Sequence, residues 1–155
     1  MRTVQLTLLV AFSAAFLVGQ CPIRAQDLGQ TKPAVVSEAS KDGSEKITIV
    51  WTSGDPEVAH RMVLMYAHAA KKAKWFNEVR IIVWGPSARL LAADKEIQAK
   101  IAEMQQDGVI TQACVVCADS YGVTGKLKEL KLEVLPMGEP LTNLLKDSSV
   151  KVVTF

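Results

Sequence analysis

Two cysteines in the second half of the chain, Cys114 and Cys117, form a C-x-x-C pair with valines between them. Thiols can act as nucleophiles, exchange disulfides or bind a metal, so this pair is the first candidate for chemistry. Side chains three residues apart on a strand point to opposite faces, with Cα atoms roughly 10 Å apart. A disulfide needs Cα atoms within about 7 Å of each other. The two cysteines can therefore pair only if the chain turns before Cys117.

The surrounding residues favour a strand that continues to Cys117. The run from Val109 to Val116 is largely apolar and rich in β-branched residues, and a polar turn and helix-forming residues follow it. We therefore expect Cys114 to be a small core residue and Cys117 to be a nucleophile at the start of a helix. Unpaired backbone N–H groups and the helix dipole would lower the pKa of a thiol there. The alternative is that both cysteines are buried packing residues.

Strand and helix patterns alternate from Lys46 to Phe155. β-Branched runs predict strands, and apolar residues at three- and four-residue steps predict helices. The predicted strands are 46–52, 79–84, the cysteine-bearing segment, 132–135 and 150–155, and the predicted helices are 56–74, a segment from Ser87, 95–106, 123–131 and 141–146. This alternation predicts an α/β fold with a mostly parallel five-stranded sheet, right-handed crossovers and helices on both faces.

Polar residues follow the predicted strands. In open parallel sheets the binding crevice lies beyond the carboxyl ends of the strands, so these residues should gather at one edge. The side chains predicted to line a pocket around Cys117 are Ser53, Asp55, Ser87, Asp119, Tyr121 and Glu139. Asp55, Ser87 and Glu139 have a simpler alternative role as helix caps.

No metal or cofactor is expected at this site. One C-x-x-C supplies only two of the four ligands of a structural zinc site. His60 and His68 are eight residues apart on the predicted first helix. This spacing exceeds two helical turns and is too long for the two side chains to share an ion.

The first 25 residues have the layout of a secretory signal peptide. Arg2 precedes an apolar run from Val4 to Val18, and Ala25 offers a small residue before a cleavage point. The run is shorter than the ~20 residues that span a bilayer, so no stable membrane insertion is expected after cleavage. The sequence thus predicts an exported protein, periplasmic or secreted.

Two further predictions concern the segment around the cleavage point. Lipidation at Cys21 is a less favoured alternative, because Gln20 stands where a lipoprotein signal has a small residue. Residues 26–45 are polar and lack periodicity, which predicts a flexible linker before a domain at 46–155.

Cleavage would also change the charge and the cysteine count. Residues 1–25 carry Arg2 and Arg24 and no acidic residue, so the formal net charge falls from +2 to 0. A neutral chain lacks the basic surface that binds nucleic acid, and no nucleic-acid partner is expected. Loss of Cys21 leaves an even pair of cysteines, which in an oxidising compartment favours a disulfide. This conflicts with the strand geometry, and the sequence leaves the conflict open.

Several short motifs resemble those of the DsrE/DsrF-like family of small sulfur-relay α/β proteins, in particular an exported, stand-alone branch. These motifs are Trp51-Thr52-Ser53, Trp84-Gly85-Pro86-Ser87, Ala113 to Ala118 with Tyr121-Gly122-Val123, Met137 to Thr142, and Val152 to Phe155. The resemblance implies a three-layer α/β/α sandwich, homo-oligomers (trimers or hexamers) and a sulfur-carrying cysteine at the end of the third strand, which Cys117 matches. The export signal and the additional Cys114 depart from the pattern of the cytoplasmic relay subunits.

Three functions follow from these observations. The first is a persulfide sulfur carrier or sulfurtransferase-like protein that uses Cys117, with a sulfur donor and acceptor that no motif specifies. The second is a non-enzymatic, oligomeric module that binds a small ligand or a partner. The third is a thiol–disulfide redox protein with Cys114 as the second thiol. Redox C-x-x-C motifs place the second cysteine in the first turn of a helix that the first one starts, and β-branched Val115 and Val116 disfavour this geometry.

Overall fold

A single five-stranded sheet forms the centre of the computed structural model, which describes residues 45–155. Its strands are β1 (Lys46–Trp51), β2 (Glu78–Val83), β3 (Ile110–Cys114), β4 (Glu133–Leu135) and β5 (Val150–Thr154). Their order across the sheet is β4-β3-β2-β1-β5, and every pair of neighbours is parallel. The predicted α/β fold with a five-stranded parallel sheet is confirmed.

Helices connect each strand to the next. They are α1 (Pro56–Val58), a π-helical segment (Ala59–Leu64), α2 (Met65–Lys72), α3 (Pro86–Ala93), α4 (Lys95–Gln106), α5 (Val115–Ser120), α6 (Thr124–Glu129) and α7 (Gly138–Lys146). Side-chain caps explain where two of these helices begin. The Asp55 carboxylate accepts the Glu57 N–H at 2.7 Å before α1, and Asp94 accepts the N–H groups of Glu96 and Ile97 at 2.9 and 3.0 Å before α4.

The strand order determines which face each helix covers. From β1 to β4 the chain steps in one direction, so right-handed crossovers place the connecting helices on one face. The step from β4 to β5 runs the other way and brings α7 to the opposite face. The core has the same division: Ile49 and Ile81 pack with Leu91 and Ile101 on the first face. Ile82 packs with Met137, Leu141 and Leu144 in a smaller cluster on the second face.

The third strand is shorter than the sequence predicts, and α5 replaces its expected end. β3 stops at Cys114, which pairs with Leu135 of β4, and the last partner of β3 on the other side is Val83 of β2. A strand beyond this point would have no neighbour to pair with. Val115 and Val116 therefore enter a helix despite their β-branched side chains, since β propensity depends on pairing and burial. Val116 is 69% exposed, which agrees with the loss of its expected strand environment.

Two predictions fall outside the described part of the chain. The signal peptide (1–25) and nearly all of the linker (26–45) lie before residue 45, and Cys21 lies there too. Among the helices of residues 45–155, none combines the length and the apolar character that crossing a membrane requires.

An ion-pair cluster joins α2 to the end of α4. The Nε2–H of His68 donates to an Asp107 carboxylate oxygen at 2.6 Å, and Lys72 Nζ lies 3.0 Å from the other oxygen. The hydrogen bond from His68, then that from Lys72, lowers the pKa of the Asp107 carboxyl below its ordinary value of 3.8. A carboxyl with a lowered folded-state pKa stabilises the fold above its ordinary pKa, and this contribution is lost as the pH falls through the lowered value.

We expect Asp107→Asn to reduce the free energy of unfolding at pH 7, because the amide keeps the shape of the side chain but removes its charge. The difference from the wild type should shrink as the pH is lowered through the acid range, where the wild-type carboxylate takes up its proton. Urea unfolding of both proteins between pH 7 and pH 3 measures this. The matched control is Glu129→Gln, which removes an exposed carboxylate 3.7 Å from Lys126. If Asp107→Asn reduces the free energy of unfolding by the same amount at pH 7 and at pH 3, the charge of the Asp107 carboxylate is not the source of the stabilisation.

Candidate functional site

Cys114 and Cys117 lie at the carboxyl edge of the sheet, on the face covered by α7. Cys114 is the last residue of β3, and its side chain is buried against Ile82 and Met137. Cys117 is partly exposed and packs against the same cluster from the first turn of α5. The remaining apolar neighbours of this cluster are Trp84, Leu135, Leu141 and Leu144. The site is therefore a thiol in an apolar corner, with a second thiol beneath it.

The end of β3 brings the two thiols together. Cys114 is the N-cap residue of α5, and Cys117 is its third residue. Side chains in these positions are neighbours across the first turn, with Cβ atoms about 5–6 Å apart in a regular helix. Both thiols are free, and Cys114 lies near enough to raise the pKa of the Cys117 thiol. The expectation that a continuous strand holds Cys114 and Cys117 apart is wrong, because the chain turns at Cys114.

The turn after β2 supplies a polar contact to Cys117. The backbone N–H of Gly85 lies close enough to the Cys117 sulfur to oppose the rise in the pKa of its thiol. Gly85 has a φ of +66°, a backbone conformation that a residue with a Cβ adopts only with strain. The Gly85 position thus combines a special backbone geometry with a direct contact to the thiol.

Ser87 holds this turn in place and does not line a pocket. Its hydroxyl accepts the Trp84 N–H at 3.1 Å and donates to the Trp51 carbonyl at 2.6 Å, which ties the ends of β1 and β2 together. Ser87 is fully buried. Its predicted pocket-lining role is therefore wrong, and so is the helix-cap alternative, since Gly85 is the N-cap residue of α3.

Burial determines the acidity of the Cys117 thiol. Removal from water raises its pKa, and this effect exceeds the opposing effect of the Gly85 N–H. The neighbouring Cys114 thiol raises the pKa further. The expected lowering of the pKa by a helix start is not found. The reason is that Cys117 packs against an apolar cluster, which removes part of the water around its thiol.

The other predicted site residues lie in loops and helix ends around the same edge. Ser53 accepts the Asp55 N–H at 3.1 Å, so this pair shapes the start of α1, where Asp55 is the cap that the alternative prediction describes. A Cβ at Gly54 would lie 3.1 Å from the Cβ of Pro86, which shows that this loop packs on the start of α3. The side chain of Glu139 is exposed in the first turn of α7.

Asp119 and Tyr121 belong to the end of α5. Asp119 accepts a hydrogen bond from the Thr124 hydroxyl, which joins α5 to α6. The Arg89 guanidinium lies over the ring of Tyr121, 5.5 Å from its centroid, and joins α3 to α5. Tyr121 is 37% exposed. These contacts fix α5, and therefore Cys117, against its neighbours.

The sequence did not predict the apolar side chains around the two thiols, nor the backbone N–H of Gly85 beside Cys117. Trp84, Met137 and Leu141 appear in the sequence as ordinary strand-end and helix residues, and a backbone N–H leaves no residue-type signal. The glycine and proline at 85–86 were recognisable as a turn. The contact of that turn with a residue more than thirty positions later depends on the pairing of β2 with β3.

A second group of possible metal ligands lies elsewhere, on α2 and α4. Ligand atoms of His68, Glu103 and Asp107 lie within 4.8 Å of one another. Each carboxylate already has an ammonium partner: Lys100 lies 2.9 Å from Glu103, and Lys72 lies 3.0 Å from Asp107. We therefore assign this cluster to the attachment of α2 to α4.

The five-stranded parallel sheet and the strand-end thiol in an apolar corner define a small α/β protein with a cysteine site. The sequence pattern of the DsrE/DsrF-like family matches residues 45–155, and the chain belongs to this family. The predicted resemblance is thereby confirmed.

A solved structure supports the same fold. It is that of a conserved protein of unknown function from Bacteroides thetaiotaomicron, with a TM-score of 0.68 and 36% sequence identity. The similarity covers 72% of this chain and 95% of the other. No match was found among curated proteins.

The raised pKa of Cys117 predicts how fast its thiol reacts at different pH values. The rate of alkylation by iodoacetamide should rise with pH, with a midpoint above the ordinary thiol value of 9.0. Cys114→Ala should move this midpoint down, because it removes a neighbour that raises the pKa. Cys117→Ala gives the background rate of the buried Cys114. A wild-type midpoint below the ordinary value would show that the helix start outweighs burial after all.

Proposed function

We propose that this protein carries sulfane sulfur as a persulfide on Cys117. Its membership of a sulfur-relay-type family supports the general role. The observation that carries the specific proposal is the position of Cys117: a partly exposed thiol at the carboxyl edge of the sheet, beside an apolar cluster and the Gly85 N–H.

The chemistry consists of two transfers. In the first, the deprotonated Cys117 sulfur attacks the sulfane sulfur of a donor such as thiosulfate or a polysulfide. A new S–S bond forms on Cys117, and the donor leaves with the electrons of the broken bond. In the second, an acceptor nucleophile attacks the outer sulfur, and Cys117 leaves as a thiolate. The Gly85 N–H is placed to stabilise that thiolate when it is released.

The apolar cluster suits the loaded state. Trp84, Leu141 and Leu144 belong to the cluster that Cys117 packs against, so they would shield a sulfur bound there from water and from side reactions. The raised pKa of the empty thiol keeps it protonated near neutral pH. Loading should therefore become faster as the pH rises.

Export and self-association are further parts of the proposal. The sequence of residues 1–25 supports export to the periplasm or outside the cell, with lipidation at Cys21 as the less favoured route. Exposed apolar side chains near the site support homo-oligomers, trimers or hexamers. Val116, next to Cys117, is 69% exposed, and Leu145 on α7 is 63% exposed. Exposed apolar side chains that group into a contiguous patch are typical of surfaces that bind a partner.

The test is intact-mass spectrometry of the reduced mature protein after brief incubation with polysulfide. We expect wild type and Cys114→Ser to gain the mass of one sulfur atom, and Cys117→Ser to gain none. Cys114→Ser is the matched control because it alters the neighbouring thiol by the same change of atom. An equal adduct on Cys117→Ser, or no adduct on either wild type or Cys114→Ser, would contradict the carrier role.

The same variants distinguish a sulfur carrier from a binding module. The exposed Val116 and Leu145 favour a binding surface as the second candidate function. A module of this kind keeps its oligomeric state and its ligand when Cys117 is changed to serine, and it gains no sulfur. Sedimentation velocity of wild type and Cys117→Ser measures the assembly, and the mass measurement reports the sulfur.

A further inference from the structure

The buried Cys114 thiol has no role in the two transfers described above, yet it lies directly beside the sulfur that takes part in them. It is the N-cap residue of α5, and Cys117 is the third residue of the same helix. Residues three apart across a helical turn have Cα atoms about 5 Å apart, which lies within the range of about 4.4–6.8 Å that disulfides require. The two thiols already interact in the reduced protein.

The two cysteines differ in access. Cys114 is 5% exposed and is enclosed by Ile82 and Met137, whereas Cys117 is partly open to solvent. A donor or an external thiol therefore reaches Cys117 first. The sulfur of Cys117 is in turn the reactive atom that Cys114 can reach without leaving the core.

We propose that Cys114 is a resolving cysteine, which discharges the Cys117 persulfide as sulfide and leaves a Cys114–Cys117 disulfide. This inference rests on the proposed carrier function and adds an activity to it: release of hydrogen sulfide when no acceptor takes the sulfur. The product disulfide is returned to the dithiol by an external dithiol reductant.

The step balances in atoms and electrons. The Cys114 sulfur attacks the inner sulfur of the persulfide, the Sγ of Cys117. A bond forms between the two Sγ atoms, and the bond from the Cys117 Sγ to the outer sulfur breaks. The outer sulfur leaves as hydrosulfide with the electron pair of that bond, and the Cys114 proton passes to the leaving sulfur or to water. Two thiol-level sulfurs are oxidised to a disulfide while the sulfane sulfur is reduced to sulfide.

The test is a single-turnover experiment on the full mature protein. Reduced protein is loaded anaerobically with polysulfide, freed of donor by rapid gel filtration, and left without an acceptor. We expect the wild type to release one equivalent of sulfide per loaded chain and to end at the mass of the disulfide form. Cys114→Ala and Cys114→Ser should keep the added sulfur, with release more than about 100-fold slower, because the intramolecular nucleophile is gone.

The outcomes separate this inference from the carrier role. If wild type and both Cys114 variants load equally and then release sulfide at the same rate, Cys114 does not resolve the persulfide and only the carrier role stands. If no protein loads, the carrier role itself is wrong. Far-ultraviolet circular dichroism of each variant checks that it is folded. Addition of a dithiol to discharged wild type should restore two alkylatable thiols, and failure to restore them would contradict the disulfide product.

Discussion

The end of β3 is the constraint on which the candidate site depends. A parallel strand persists only while its neighbours offer backbone partners, and β3 loses both near Cys114, after Val83 on one side and at Leu135 on the other. The chain then turns into α5. That single turn makes Cys114 a helix N-cap, brings Cys117 to the same turn, and places both thiols on the face that α7 covers. If β3 had continued through Cys117, the side chains of Cys114 and Cys117 would point to opposite faces of the sheet.

The acidity of Cys117 results from two opposing effects in one small space. The Gly85 N–H favours the thiolate, while enclosure by apolar side chains favours the thiol, and enclosure is the larger effect. A helix start alone is therefore a poor guide to thiol reactivity when the helix is short and its first turn is packed. The same apolar neighbours that raise the pKa of the empty thiol would shield a bound sulfane sulfur from water, and they keep the second thiol out of reach of external reagents. The raised pKa and the proposed carrier role are in this way compatible.

The unequal covering of the two sheet faces explains why the site lies where it does. The connections from β1 to β4 fill the first face with helices and a large core, and only the reversed step to β5 brings α7 across the second. The smaller cluster beneath α7 contains both thiols and ends at the strand edge. In this chain both cysteines at the end of β3 are thus positioned by the topology of the sheet.

Much of the architecture was determined by the sequence itself. The β-branched runs, the cap at Asp55 and the helix at Lys95–Gln106 are local patterns of a few residues, and the structure reproduces the elements that they predict. The alternation of these elements was enough to predict the parallel sheet. Tertiary structure alone decided where β3 stops, that Ser87 is buried between strand ends, and that burial raises the pKa of the Cys117 thiol. Each of these depends on neighbours far away in the chain: a strand ends where its partners end, and a thiol loses water only when distant side chains close over it.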